Sequence, residues 1–380
     1  YLSYWKIRGS FASVGTAFER YIANPLFAWN TSIGQWSNLT DFPVYDLKPE
    51  RTNSFEVGMN MRFLKNFELD VTYYNAKTMN QTFNPELPVG EYARIYIQTG
   101  AVRNQGLELA LNYNNTWKDF TWNTGVTYSM NKNKILTLAD NAINPITREK
   151  FSISSLNMGG LGSTRFILKE GGSMGDIYSL MDLKRDANGA VYIDENNSVV
   201  TESLEANNYI KLGSVLPKGN LAWRNNFSWK NINVAFLVSA RLGGVVFSRT
   251  QAVLDNFGVS EASAAARDKG YVSVNGNDRV NPEGWYSVVA GGTAVPQYYI
   301  YSATNIRLQE ASIGYTIPRK WLGNVCDIKV SLIGRNLWMI YNKAPFDPES
   351  VASTDNFYQG IDYFMMPSLR NIGFNLSFKF

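Results

Sequence analysis

The chain of 380 residues contains no histidine and a single cysteine, Cys326. A disulfide framework is therefore impossible, and neither a Cys/His zinc site nor a histidine-based triad can be assembled. Charged residues make up only 18% of the chain, and its net charge of +4 is spread without a Lys/Arg cluster. That distribution gives no support to nucleic-acid binding. No run of about 18 apolar residues occurs, so a helical membrane span is excluded. The opening Tyr1-Leu2-Ser3-Tyr4-Trp5-Lys6 has neither an initiator Met nor a signal peptide. The expectation is a start inside a longer polypeptide.

What is present is 45% hydrophobic and 14% aromatic residues at a mean hydropathy of -0.22. A soluble chain of this length would fold as two or three domains. The strongest signal is alternation. Ile372, Phe374, Leu376, Phe378 and Phe380 share one phase, while Asn371, Gly373, Asn375, Ser377 and Lys379 share the other. Phe120, Trp122, Val126, Tyr128 and Met130 alternate with Thr121, Asn123, Thr127, Ser129 and Asn131. Phe55, Val57, Met59, Met61 and Phe63 alternate with Glu56, Gly58, Asn60 and Arg62. The run Ile232, Val234, Phe236, Val238 is looser. Period two describes a strand whose faces meet different solvents. A soluble β-sandwich does this over five or six residues, whereas these runs approach the roughly 10 residues of a tilted membrane strand. Trp117, Trp122, Trp229, Trp321, Trp338 and Tyr341 stand near strand ends, where a barrel carries aromatic girdles.

Connections also alternate. Short ones fall at 64–66, 115–119, 170–173, 230–231 and 318–327; long ones at 15–51, 83–100, 132–163, 184–218, 248–299 and 342–367. Short turns on one side and long loops on the other mark an outer-membrane barrel, with the short turns in the periplasm. Counting hairpins predicts an all-β, transmembrane antiparallel β-barrel segment of about twelve strands. One strand slips phase: Ile306 and Leu308 are followed by Ala311, Ile313, Tyr315 and Ile317, which predicts a β-bulge near Gln309–Glu310.

Several ordered stretches resemble the SusC/RagA family of TonB-linked outer-membrane transporters. They are Leu47-Lys48-Pro49-Glu50 with Glu56 and Gly58, Tyr73-Tyr74 with Thr78, and Gly100, Asn104, Gly106 and Glu108. Gly175-Asp176-Ile177-Tyr178, Asp186-Ala187-Asn188-Gly189 and Arg307-Leu308 with Gly314-Tyr315 follow. Gly334-Arg335-Asn336-Leu337, Phe346-Asp347-Pro348-Glu349 and the closing Pro367, Arg370 and Phe380 complete the set. The resemblance implies the C-terminal half of a probable 22-stranded barrel, with the plug domain, TonB box and N-terminal strands elsewhere in the complete protein. It implies import of oligosaccharides or oligopeptides across the outer membrane of a Gram-negative bacterium. It also implies a SusD-like surface lipoprotein, the TonB–ExbB–ExbD motor acting through the plug, and no cofactor. A passive porin, or a structural barrel anchoring a surface complex, is the alternative.

Candidate site residues are loop aromatics suited to stacking on a solute or packing a partner: Trp29, Trp36, Trp285, Tyr286, Tyr298, Tyr299, Phe357 and Tyr358. They serve equally to pack loops together. Phe378 and terminal Phe380 resemble the signal read by the barrel-assembly machinery; alone, they are lipid-facing side chains in a bilayer. Asp186-Ala187-Asn188-Gly189 with Glu195 has the wrong spacing for a calcium loop and reads as an Asn-Gly turn, so no metal site is expected. Glu56, Arg62, Glu108, Arg224, Arg241, Lys329 and Arg335 fall on polar phases and are expected to face a lumen. No nucleophile has a base beside it and no carboxylate pair brackets a cleft, so an enzyme is not expected.

Overall fold

A computed structural model describes residues 1–17, 22, 27, 29–36, 41–42, 48–83, 94–143, 148–292, 294–323, 325–355 and 357–379. Ten strands form one large sheet: β1 (Leu2–Thr16), β2 (Glu50–Phe63), β3 (Phe67–Phe83), β4 (Ile97–Trp117), β5 (Phe120–Thr137), β6 (Gly219–Trp229), β7 (Ile232–Leu242), β8 (Asn305–Ile317), β9 (Asp327–Asn342) and β10 (Asn371–Lys379). Their order in the sheet is their order in the sequence, and every pairing is antiparallel. The edges β1 and β10 are not paired to each other.

Register turns alternation along each strand into two uniform surfaces. One row across the sheet runs Trp5, Met61, Leu69, Leu111, Val126, Trp223, Val238, Leu308, Trp338. A row on the other face runs Arg8, Gly58, Thr72, Glu108, Ser129, Asn220, Arg241, Asn305, Asn342. A one-residue slip in any strand would exchange its two sets, so the apolar face pins the register. That face covers no core of the chain: Phe374 is 77% exposed and Leu332 56%. Val126 and Met59 are only half-buried, against row neighbours. A water-soluble sandwich would bury such residues.

At the short-turn end the apolar face carries a chain of rings. Phe63 stacks on Phe67 at 5.5 Å, Phe67 meets Tyr113 at 4.7 Å, Tyr113 meets Trp122 at 5.3 Å, and Trp122 stacks on Phe227 at 6.1 Å. This is a girdle of the expected kind, one ring per strand, although of the six girdle residues expected from the sequence only Trp122 belongs to this chain of rings.

The predicted bulge is present. Leu308 pairs with Trp338 and Glu310 with Arg335, so Gln309 has no partner in β9; β7 passes over it in the same way. On β9 the matching irregularity is Asn336, held at φ 51°, from which the Leu337 side chain folds back over Gly334. A Cβ on Gly334 would lie 2.6 Å from Leu337 Cδ2, so the Gly-Arg-Asn-Leu sequence is the local code for this kink.

The expected count of about twelve strands becomes ten in this sheet, among the described residues. The link at 170–173 does not join two staves. It joins Thr164–Lys169 to Asp176–Ser179 in a separate four-stranded sheet with Ser155–Leu161 and Ile210–Ser214. Those strands are 4 to 7 residues long, too short to cross a bilayer, and the two central ones, Thr164–Lys169 and Asp176–Ser179, are largely buried.

The long connections fold together into a cap with its own core. Phe166, Ile177, Leu183, Val215, Phe247, Val289, Tyr299 and Ile361 belong to one buried cluster, drawn from three separate connections. Val245–Ser248 pairs antiparallel with Ile300–Ser302 and parallel with Ile361–Asp362, stitching two of them. Within 248–299 lie α1 (Arg249–Asn256), α2 (Glu261–Lys269) and α3 (Pro282–Val289), with Ser248, Ser260 and Asn281 as N-caps. Arg249 donates to the carbonyls of Ala290, Gly291 and Gly292 beyond α3, satisfying groups the helix end leaves open.

Candidate functional site: a polar inner face under a loop-built cap

The polar face is a lattice of paired side chains. Arg8 on β1 reaches across β2 to Asp70 on β3, with Nη2 2.6 Å from Oδ1 and a further bond to Thr72. It crosses directly over Gly58, where a Cβ would stand 2.6 Å from Arg8 Nε, so only glycine leaves the path open. Asn60 also donates to Asp70. Arg335 pairs with Glu310 at 3.0 Å and Lys329 bonds Asn233. The seven charged residues expected to face a lumen all lie on this face by register. Between Arg8, Asp70, Glu108, Ser129, Asn220 and Arg241 the sheet encloses a concavity of about 470 Å³, which Glu349 from the last long connection overhangs.

Glu349 arrives there through the most buried charge cluster of the molecule's described part. Arg307, 5% exposed, pairs with Asp347 at 2.8 Å and Glu349 at 3.0 Å, while Asn305 bridges its Nε and Glu349. Ser368 donates to Asp347 Oδ2. Burial pushes the Asp347 carboxyl up, but Arg307, Ser368 and the Glu349 N–H outweigh it and hold it below the usual carboxylate range. The Arg307-Leu308 and Phe346-Asp347-Pro348-Glu349 motifs are thus two halves of one anchor that pins residues 343–370 to the polar face. Nothing local in the sequence couples positions 40 residues apart; the available signal is that Arg307 stands between two apolar neighbours on the polar phase.

The aromatic candidates divide by environment. Tyr299, 2% exposed, donates to Asp255 and packs the cap core, and burial followed by the Asp255 charge raises its hydroxyl pKa. Phe357 is half-buried, packs against both apolar clusters of the cap and meets Phe166 edge-on at 6.0 Å. Trp285 and Tyr298 form an edge-to-face pair at 5.2 Å, Trp285 half-buried and Tyr298 exposed. Tyr286 is half-buried beside a cleft of about 550 Å³ bounded by the ends of α1, α2 and α3. Tyr358 is exposed at φ 68°. Trp29 and Trp36 face each other at 5.4 Å across a small hairpin, 51% and 62% exposed. The structure brings Trp29 to Trp36 and Trp285 to Tyr298, and does not unite all eight. Phe378 lies on the apolar face opposite Ile328; Phe380 lies outside the described residues.

The Asp186 motif is a turn. Its carboxylate accepts from the N–H groups of Asn188 and Ala190, with Gly189 at φ 81°. Asp194 repeats the device with Asn196 and Ser198.

A two-faced antiparallel sheet, an aromatic girdle and a loop-built cap define a fold that can be compared with known ones. The family model described as TonB dependent receptor-like, β-barrel, matches residues 3–337. The chain belongs to that family. The family is one of outer-membrane transporters, not of enzymes, and the chain is a β-barrel component of the outer membrane. It is 25% identical to TonB-dependent receptor P3 of Formosa agariphila over 99% of this chain and 39% of the relative. To TonB-dependent receptor P26 of the same organism it is 27% identical, over 87% of the chain and 34% of the relative. The chain therefore spans well under half the length of either. The RagAB peptide transporter shares the fold at a TM-score of 0.74 and 16% identity, covering 100% of this chain and 41% of that one.

Proposed function

We propose that this chain supplies wall, lumen lining and extracellular cap to a larger barrel that imports large nutrients, oligopeptides or oligosaccharides, by a TonB-dependent route. In this reading the chain is the C-terminal part of the receptor barrel, a plug lies elsewhere in the complete protein, and a SusD-like surface lipoprotein meets the cap. The observation that carries it is the anchor of Arg307 with Asp347 and Glu349, which ties the cap to a hydrophilic inner face. A passive pore has no need of a folded cap held over its mouth. The peptide transporter that shares the fold favours oligopeptides over oligosaccharides. Exposed ring pairs such as Trp29 with Trp36 suit stacking on either class. Phe378 and Phe380 serve in the same proposal as the signal for barrel assembly.

The test uses cells lacking the receptor and complemented with the full-length gene. Uptake of labelled oligopeptides and oligosaccharides is followed with and without a protonophore, and the receptor is purified to identify a retained lipoprotein. Protonophore-sensitive uptake with a surface lipoprotein in the complex is expected. Entry that continues after the proton gradient is removed would make the chain part of a passive pore.

A further inference from the structure

The four short turns of the sheet carry a recurrent cation that the import reading leaves unused. Their sequences are Leu64-Lys65-Asn66, Lys118-Asp119, Lys230-Asn231, and Pro318 to Cys326 with Arg319 and Lys320. Each lysine is exposed, and among the described residues none of Lys65, Lys118, Lys230 and Lys320 joins an ion pair. Three of them occupy the left-handed region, Lys65 at φ 66°, Lys118 at φ 52° and Lys230 at φ 49°. A residue with a long side chain is disfavoured there, and glycine or asparagine suits such turns better. Turn geometry alone therefore does not account for lysine at three successive hairpins.

Position supplies the account. Each of these three turns follows or adjoins a ring on the apolar face: Phe63 and Phe67 flank the first, Trp117 and Phe120 the second, and Trp229 precedes the third. Lys230 Nζ lies 5.5 Å from the centre of the Trp229 ring. Rings of this kind sit at headgroup level in a bilayer, and lysine stems lie along apolar surface while the ammonium reaches the phosphates. The hairpins are neighbours in the sheet, so the cations repeat every two strands, about 10 Å apart. That spacing suits a row of separate headgroups rather than one compact ligand.

We infer that the short-turn rim is a binding surface for anionic phospholipid headgroups of the periplasmic leaflet, with Lys65, Lys118, Lys230 and Lys320 as the phosphate contacts. The inference rests on the barrel and its orientation, not on the solute carried.

The full-length receptor is placed in nanodiscs containing equal parts of phosphatidylcholine and phosphatidylglycerol. The lipids retained around it are then counted by mass spectrometry as bulk lipid is stripped. Each lysine at an anionic surface gives up to about a fivefold preference, so clear enrichment of phosphatidylglycerol is expected, falling as salt is raised. The combined variant Lys65→Asn, Lys118→Asn, Lys230→Asn keeps turn-compatible residues and should fold at least as well by heat-modified gel mobility, yet lose most of the enrichment, Lys320 alone remaining. Enrichment unchanged in that variant, or none in the wild type, overturns the inference. Loss of uptake with enrichment intact would count against import alone, which keeps the two proposals separable.

Discussion

Leu332 in the large sheet and Phe166 in the cap are both large apolar side chains, yet the first is 56% exposed and the second fully buried. The sheet places its apolar residues outward, against lipid, and gathers polar partners such as Arg8 and Asp70 on the inner face. The cap does the reverse, burying Phe166, Phe247 and Val215 while leaving lysines such as Lys184 and Lys269 exposed. One chain therefore obeys two solvent rules, and the boundary between them falls where strands of 9 to 21 residues give way to strands of 2 to 7. The lesson is that apolar residues alone do not locate a core here; the period and length of the run do.

The comparison breaks most visibly if the cap is hollowed. Phe166→Ala should cost about 3–5 kcal/mol in the cap. Hydrogen exchange should then rise through residues 155–215 and 245–302 while β2 to β9 remain protected. Equal loss of protection in the sheet would mean that cap and staves form one cooperative unit. Next in size is the face test. Phe374→Arg, on the lipid side of β10, should cost about 2–4 kcal/mol and lower the yield of heat-modifiable barrel in the membrane. Asn375→Arg, one residue along and on the inner face, should be tolerated. Similar yields for both variants would remove the two-solvent reading.

A smaller effect belongs to the anchor between the two regions. The Asp347 carboxyl is held below its unfolded value, so its contribution is fully present above that value, about pH 4, and is lost as pH falls through the depressed folded pKa. Exchange in residues 343–370 should rise in that acidic window and not between pH 5 and 8. Asp347→Asn should loosen the segment at neutral pH by about 2 kcal/mol, the range for a charge-assisted bond, and flatten the acid response. The smallest structural effect is expected at the exposed ring pair. Trp29→Ala with Trp36→Ala should change stability by no more than about 0.5 kcal/mol each, while weakening capture of solute or lipoprotein in a pull-down. Full retention of both partners would reduce the pair to a surface contact.

Most of the sheet was legible in advance because a strand between two solvents repeats every second residue. The runs at 55–63 and 372–380 carry that period without interruption, the run at 120–131 breaks it only at Thr124, and even the Gln309 bulge showed as a slip of phase. The aromatic girdle was legible in part, through Trp122. The cap was not. Its short strands lack a long period, and its three helices, whose starts are marked by Ser248, Ser260-Glu261 and Asn281-Pro282-Glu283, lie inside what reads as a single long connection. That is why the link at 170–173 passed for a membrane turn: a tight turn between apolar runs looks the same in either region. Among the site residues, the polar phase identified the inner-face charges as a group, but not which of them meet.

By itself, the sequence determined that the strands present an oily and a wet face, that tight and long connections alternate, and that Cys326 alone, with no histidine in the chain, cannot build a Cys/His metal site or a disulfide. Tertiary structure alone decided that three long connections share one core, that Tyr299 is internal while Trp29 and Trp36 are not, and that Arg307 holds Asp347. The physical reason is range. Alternation is set by each residue's own solvent, which a strand samples locally, whereas burial in the cap and pairing on the inner face depend on segments tens of residues apart meeting in space.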